Sequence, residues 1–276
     1  MSSLLFGTAG TPISAPERDS ITGIETVRKL NLDAMELEFT YGVRMSRETA
    51  KETRKAAEDN NISLSVHAPY YINLNAQEKH KLGLSRHNIL QSCRIGEEAG
   101  ARIALFHPGF YMKRTPEATM QAVKKNLERV LEELEKECLD IRLGLETTGK
   151  KSVFGNLEET LKLSKEYKQV FPVIDFSHLH ARADGSLTSE KAFDEIIKQI
   201  PKKFLASLHM HASGMNYTEK GERNHLVFED EGNTFSYKAL LKSLKKNNVM
   251  GTIICESPNI EEDALRMKKF YFSKQA

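Results

Sequence analysis

Several things this chain does without narrow the field at once. It holds only three cysteines in 276 residues, Cys93, Cys138 and Cys255, odd in number and with no C-x-x-C spacing. That argues against a disulfide framework and fits a reducing, cytoplasmic setting. The N-terminus has no basic stretch leading into an apolar one, and no run of about 18 apolar residues occurs, so neither a signal peptide nor a membrane span is expected. An excess of one charge is missing too. With 28% charged residues and a net charge of +2, a generally basic nucleic-acid binder gains no support, although a local basic rim stays open. No G-x-G-x-x-G turn follows the first apolar run, which disfavours a dinucleotide fold. No Pro-, Gly- or Ser-rich linker divides the chain, so residues 1–276 are read as one domain.

What is present is alternation. Eight short apolar runs recur at Leu4–Gly7, Ala34–Phe39, Leu64–His67, Ile103–His107, Leu143–Glu146, Val173–Asp175, Leu205–His209 and Thr252–Glu256. Most are continuous, the pattern of parallel strands covered on both faces. Helical patterns lie between them. Ser46 precedes one that runs to about Asn60, Pro116 opens a long amphipathic one through Val123, Leu127, Val130, Leu131 and Leu134, and Gly100 offers a left-handed close to another. Asn156 with Glu159, and Asn259 with Glu262, have capping-box spacing. Strict alternation of eight strands with helices predicts a closed (β/α)8 TIM barrel, α/β in class, with its site at the C-terminal strand ends. The exception to short connections is Ala212 to Thr234, polar and punctuated by glycine, a length that favours function.

The strand ends carry the chemistry. His67, His107, Glu146, Asp175, His209 and Glu256 each close an apolar run, His178 follows Asp175 by three, and His225 lies in the long connection with Glu222 and Arg223. A single histidine at a strand end is usually a hydrogen-bonded structural residue, and His80, His87, His180 and His211 are read that way. Six such ends in succession point instead to metal ligands, suited to zinc, or to manganese or iron. The set exceeds one tetrahedral ion, so a carboxylate is expected to bridge two, with Glu146 central. Tyr70 and Tyr71 follow His67, and Tyr41 and Arg44 follow the second run. Their structural reading is packing under a loop; their functional reading is a rim that stacks on bases and grips phosphate.

The order of motifs resembles endonuclease IV, the metal-dependent apurinic/apyrimidinic endonuclease family among the xylose-isomerase-like barrels. It runs His67-Ala68-Pro69-Tyr70-Tyr71-Ile72-Asn73-Leu74, His107-Pro108-Gly109, Leu145-Glu146-Thr147, Ile174-Asp175-Phe176-Ser177-His178, His209-Met210 and Cys255-Glu256-Ser257-Pro258, nearly the whole chain. The resemblance implies a first zinc on His67, His107 and Glu146, a second on Glu146, Asp175, His209 and Glu256, and a third partly on His178 and His225. The family completes the third with an aspartate where this chain has Arg223, and an arginine cannot ligate a cation. A weak or absent third ion, or completion by Glu222, both stay open. Arg44, Tyr70 and Tyr71 match lesion-probing positions on abasic duplex DNA. Glu146 and Glu256 become the catalytic carboxylates, and a monomer is implied.

That resemblance implies hydrolysis of the phosphodiester 5′ to an abasic site, through water activated between two or three zinc ions. The alternative is a single-metal sugar isomerase or epimerase of the same superfamily, using the second ligand set alone. A relative that binds lesions without cutting them is a third reading.

Overall fold

Eight parallel strands pair edge to edge and close on themselves, in a computed structural model that describes residues 4–275. They are β1 (Leu4–Ala9), β2 (Ala34–Glu38), β3 (Ser63–His67), β4 (Ile103–Phe106), β5 (Arg142–Glu146), β6 (Val170–Asp175), β7 (Leu208–Ala212) and β8 (Gly251–Cys255). Each lies beside its successor, and β8 pairs with β1 from Leu4↔Gly251 to Thr8↔Cys255. The expected TIM barrel is the observed fold.

Helices pack around it for the reasons the sequence gives. Ser46 accepts from the Thr49 N–H and starts Arg47–Asn60, and Thr115 with Pro116 starts Pro116–Lys136. The latter buries Val123, Leu127, Val130 and Leu134 completely, each adding about 1.5–3 kcal/mol of apolar burial. Asn156 and Glu159 form the expected capping box, and Gly100 takes φ +78° just beyond Lys79–Glu98. The second expected box does not form. Asn259 turns its amide toward Glu262 and Asp263, while Glu261 accepts from the Ile13 and Ser14 N–H groups and ties the first loop to Glu261–Tyr271.

Two further expectations need correction. The seventh strand lies three residues later than Leu205–His209, because Pro201 leads into a short helix, Lys202–Leu205, that consumes the start of the apolar run. The connection Ala212–Thr234 is no irregular loop. It contains an antiparallel hairpin, Gly214–Thr218 with Gly221–Leu226, folded over the C-terminal mouth. Gly221 sits at φ +95°, where a Cβ would lie 2.2 Å from the Gly149 carbonyl. Only glycine lets the hairpin turn press so closely on the segment after β5.

The lumen is uneven. Ile103, Leu105 and Val173 form a small apolar cluster of their own, whereas Glu36, Ser65, His209 and His211, on β2, β3 and β7, are polar and buried.

Candidate metal centre

At the C-terminal mouth one carboxylate organises everything else. Glu146, the last residue of β5, has no exposed surface. Its Oε2 lies 3.1 Å from His67 Nε2 and 3.1 Å from His107 Nε2, and its Oε1 lies 3.3 Å from His178 Nδ1 and 3.2 Å from His211 Nδ1. Parallel strands in register bring their tips to one level, so residues distant in sequence converge without help from loops. Asp175 ends β6 and also caps the helix Phe176–Arg182. Its Oδ1 accepts from the His178 N–H at 2.7 Å, leaving Oδ2 3.1 Å from His178 Nδ1. His107 stands just past the end of β4.

The donors fall into groups whose ligand atoms lie within 4.8 Å of one another: His67 with His107 and Glu146; Glu146 with Asp175, His178 and Glu256; and His178 with Glu222 and His225. The structure thus brings together His67, His107, Glu146, Asp175, His178, His225 and Glu256. His209 is placed elsewhere. It lies one layer deeper on β7, its Nε2 2.9 Å from Glu36 Oε2, and the three-residue shift of that strand puts His211 at the mouth instead. His211 is therefore no peripheral structural histidine.

Sequence reasoning missed Glu36 and Glu38 as well. The signal was there: Ala34-Met35-Glu36-Leu37-Glu38 and Leu208-His209-Met210-His211-Ala212 alternate polar with apolar, unlike strands apolar on both faces.

Glu222 reaches its group through a bulge. Asn216 pairs with Asn224 but Tyr217 pairs with Glu222, so Arg223 has no partner across the hairpin. One extra residue shifts the side-chain alternation, placing Glu222 and His225 on one face and leaving Arg223 exposed.

The electrostatics match the geometry. Burial alone would raise Glu146, but the neighbouring charges of His107 and His211 outweigh it and hold its carboxyl well below the usual range. Burial would lower His178 and His211. For His178, Asp175 and Glu222 prevail, and for His211, Glu256 and Glu36 do; both rise well above the usual imidazole value. His67 rises to about 10 against its burial, on its contact with Glu146. Burial, reinforced by Glu36 and Glu256, pushes Glu38 up to about 8 against the opposing charge of His67. Protons here stand where cations could. Imidazoles and carboxylates give up or exclude protons when they ligate, so metal uptake releases protons.

A fit test comes from the unsatisfied atoms. Among the described residues, Asp175 Oδ2, Glu256 Oε2 and His107 Nε2 are buried and make no hydrogen bond of good geometry, although His178 Nδ1 stands 3.1 Å from the first and Glu146 Oε2 3.1 Å from the third. Such atoms are costly to bury, and a divalent cation supplies the partner that each lacks. The imidazoles are also preset. His67, His178 and His225 each donate Nδ1–H to a backbone carbonyl, of Ala68, Thr147 and Glu256, at 2.8, 3.0 and 3.0 Å. A carbonyl only accepts, so the neutral ring keeps its proton on Nδ1 and its lone pair on Nε2. These residues fit metal ions.

Around the centre lies a cavity of about 270 Å³, lined by His67, Tyr70, Phe110, Lys150 and Glu222 among others. The Tyr70 ring stands 5.0 Å from that of His67 and 6.1 Å from that of His107. Tyr70, Tyr71, Tyr41 and Arg44 are all exposed at the rim.

Comparison with known proteins follows the same lines. The family described as Xylose isomerase-like TIM barrel matches residues 24–271. An uncharacterized protein of Methanocaldococcus jannaschii is 42% identical over 272 residues, 97% of each chain. An apurinic-apyrimidinic endonuclease of Caenorhabditis elegans is 26% identical over 227 residues, which is 78% of this chain and 56% of that enzyme. Among solved structures, a D-tagatose 3-epimerase-like protein superposes with a TM-score of 0.72 at 22% identity, covering 96% of this chain and 95% of that one. Endonuclease IV from Thermus thermophilus does so with 0.70 at 16% identity, over 95% and 97%. At such identities the two structures share the fold and nothing finer. Among the described residues, no helix is long and apolar enough to cross a membrane.

Proposed function

The chain belongs to the Xylose isomerase-like TIM barrel family, and on that premise we propose that it is a metal-dependent apurinic/apyrimidinic endonuclease, cutting duplex DNA on the 5′ side of an abasic site. The observation that carries this reading is the surplus of donors. Beside Glu146, Asp175, His178 and Glu256 stand two more groups, one with His67 and His107 and one with Glu222 and His225. One ion suffices to polarise a carbonyl, whereas several ions held together suit an in-line displacement at phosphorus, where attacking and leaving oxygens both need stabilising. The worm relative named as an apurinic-apyrimidinic endonuclease lends support.

Zinc is the expected ion, with manganese or iron as substitutes on so mixed a donor set. Bound there, such ions supply Lewis acidity, a more acidic water and countercharge for the phosphoryl oxygens. The residues do the rest. Glu146 divides its two oxygens between neighbouring groups and so fixes their spacing. Glu256, with one buried oxygen free of any hydrogen bond, orients the attacking water. His178, Glu222 and His225 complete the third group, with Glu222 in place of the aspartate that the endonuclease IV pattern has at the position of Arg223. Tyr70 and Tyr71 enter the base stack, at a cost of a few kcal/mol that is lowest where a base is already missing. Arg44 and Lys150 supply positive charge for the backbone.

A duplex containing tetrahydrofuran as the abasic analogue tests this, with and without chelator. We expect a nick on the 5′ side that the chelator abolishes and added metal restores. No nicking with zinc, manganese or cobalt would sink the proposal.

A second reading keeps one observation on its side. The hairpin roofs a cavity of only about 270 Å³, room for a keto-sugar over one ion held by Glu146, Asp175, His211 and Glu256. Element-resolved metal counting separates the two readings: two or three ions per chain for the endonuclease, one for an epimerase.

A further inference from the structure

The mouth histidines differ in what holds their second nitrogen. His67, His178 and His225 donate Nδ1–H to backbone carbonyls. His211 is turned the other way. Its Nδ1 faces the bowl, 3.2 Å from Glu146 Oε1 and 3.5 Å from Glu256 Oε1, while its Nε2 points down the lumen to Glu36 Oε1 at 2.9 Å. That contact is close without meeting hydrogen-bond geometry, and among the described residues neither of its two buried atoms has a hydrogen-bond partner. The opposite oxygen of Glu36 is already anchored: Ser65 Oγ donates to it at 2.6 Å and His209 Nε2 at 2.9 Å.

We propose that Glu36 is the positioning residue of the metal centre. Its carboxylate accepts the Nε2 proton of His211 and so turns the Nδ1 lone pair on the bowl, doing for this imidazole what carbonyls do for the other three. Ser65 and His209 hold the carboxylate in place. A carboxylate behind a ligating imidazole fixes its tautomer and increases its basicity. The proposal rests on the reading of the bowl as a metal centre and is indifferent to whether the substrate is DNA or sugar.

Glu36, His209 and His211 could instead hold a cation themselves, since their ligand atoms also lie within 4.8 Å of one another. Two observations favour positioning. The Nδ1 of His211 is already committed to the mouth. The cavity of about 300 Å³ that reaches His209 from the opposite end of the barrel is lined by Arg102 and Arg142, whose charges oppose an entering cation.

The test titrates metal-stripped protein with Zn2+ and Co2+, comparing the wild type with Glu36→Gln and His209→Gln, and with thermal melts to confirm folding. For Glu36→Gln we expect one ion to bind about 10–100-fold more weakly, with a changed Co2+ absorption band and the other ions untouched. His209→Gln moves the same ion less and keeps the full metal count. Wild-type affinity and spectrum in Glu36→Gln overturn the proposal. If that variant does not fold, wild-type behaviour of His209→Gln overturns it equally. A full equivalent of metal lost in His209→Gln, with the rest bound normally, makes the interior cluster a metal site instead. A wild type that binds no metal removes both this proposal and the metal reading of the bowl.

Discussion

The bowl draws its donors from two sources that are built differently. His67, Glu146, Asp175 and His211 come from barrel strands, and none is more than 1% exposed. Their positions follow from parallel register, which cannot slip without turning every side chain to the other face. Glu222 and His225 come from the hairpin and are partly exposed. Their convergence depends on the bulge at Arg223, on the close approach at Gly221, and on single contacts such as His225 Nδ1 to the Glu256 carbonyl. The difference teaches that an ion shared by strand tips would be held by the whole fold, while one that needs the hairpin would be held by an element that opens more readily. A chelator should therefore strip the hairpin-side ion first.

Removing the common carboxylate breaks the comparison most severely. Glu146→Gln strikes both groups that share it, and we expect loss of metal from both and a fall in activity beyond the roughly 100-fold typical of an outer-shell partner. Metal analysis and the nicking assay measure the two effects together. Next comes Glu222→Ala, confined to the hairpin side. It should cost one equivalent of metal while the strand-borne ions keep their affinity; loss of every ion would show that the two sources are not separable.

Gly221→Val tests the hairpin's seat. Its φ and the crowding against Gly149 predict a loss of about 1–3 kcal/mol, read from denaturant unfolding, with the hairpin-side ion weakened in parallel. Unchanged stability and metal affinity would mean that the hairpin holds its place by other contacts.

The smallest effect is one of pH. His180 lies beneath the hairpin, its Nδ1 donating to the Leu187 carbonyl and its Nε2 beside Thr234 Oγ1. Burial pushes it down from 6.5 to about 4. The folded state then binds this proton less readily than the unfolded chain. Its contribution to stability is complete above 6.5 and drains away as pH falls from 6.5 through about 4. Melting temperatures of metal-stripped protein should fall over that window, and the fall should be shallower in His180→Gln. Equal slopes would refute the assignment.

Much of this was legible in advance. Glu146 and Asp175 close apolar runs at strand tips, and a parallel barrel brings such tips together whatever lies between. The strands themselves were visible because covered faces demand continuous apolar residues. The misreadings have local causes. The seventh strand is expected at Leu205–His209, but Pro201 starts a helical turn that moves it to Leu208–Ala212, which sets His211 at the mouth and His209 one layer below. A charged residue in a strand is by type alone expected at solvent, whereas in β2 alternation turns Glu36 into the lumen. At Asn259 the capping spacing was present, but Ile260 at φ +41° turned the chain differently.

The order of apolar runs, their polar ends and the helix-starting residues were enough to determine an eight-stranded barrel and most of the imidazoles and carboxylates that meet at its mouth. Which imidazole faces which carboxylate was decided only by closure of the barrel and folding of the hairpin. Side-chain direction in a strand changes with every residue and depth in the barrel with every second one, so a single unpaired residue at Arg223 changes which side chains share a face, and a shift of the strand at β7 changes which lumen residue reaches the mouth. The hydrophobic pattern constrains such shifts only weakly where the lumen itself is polar.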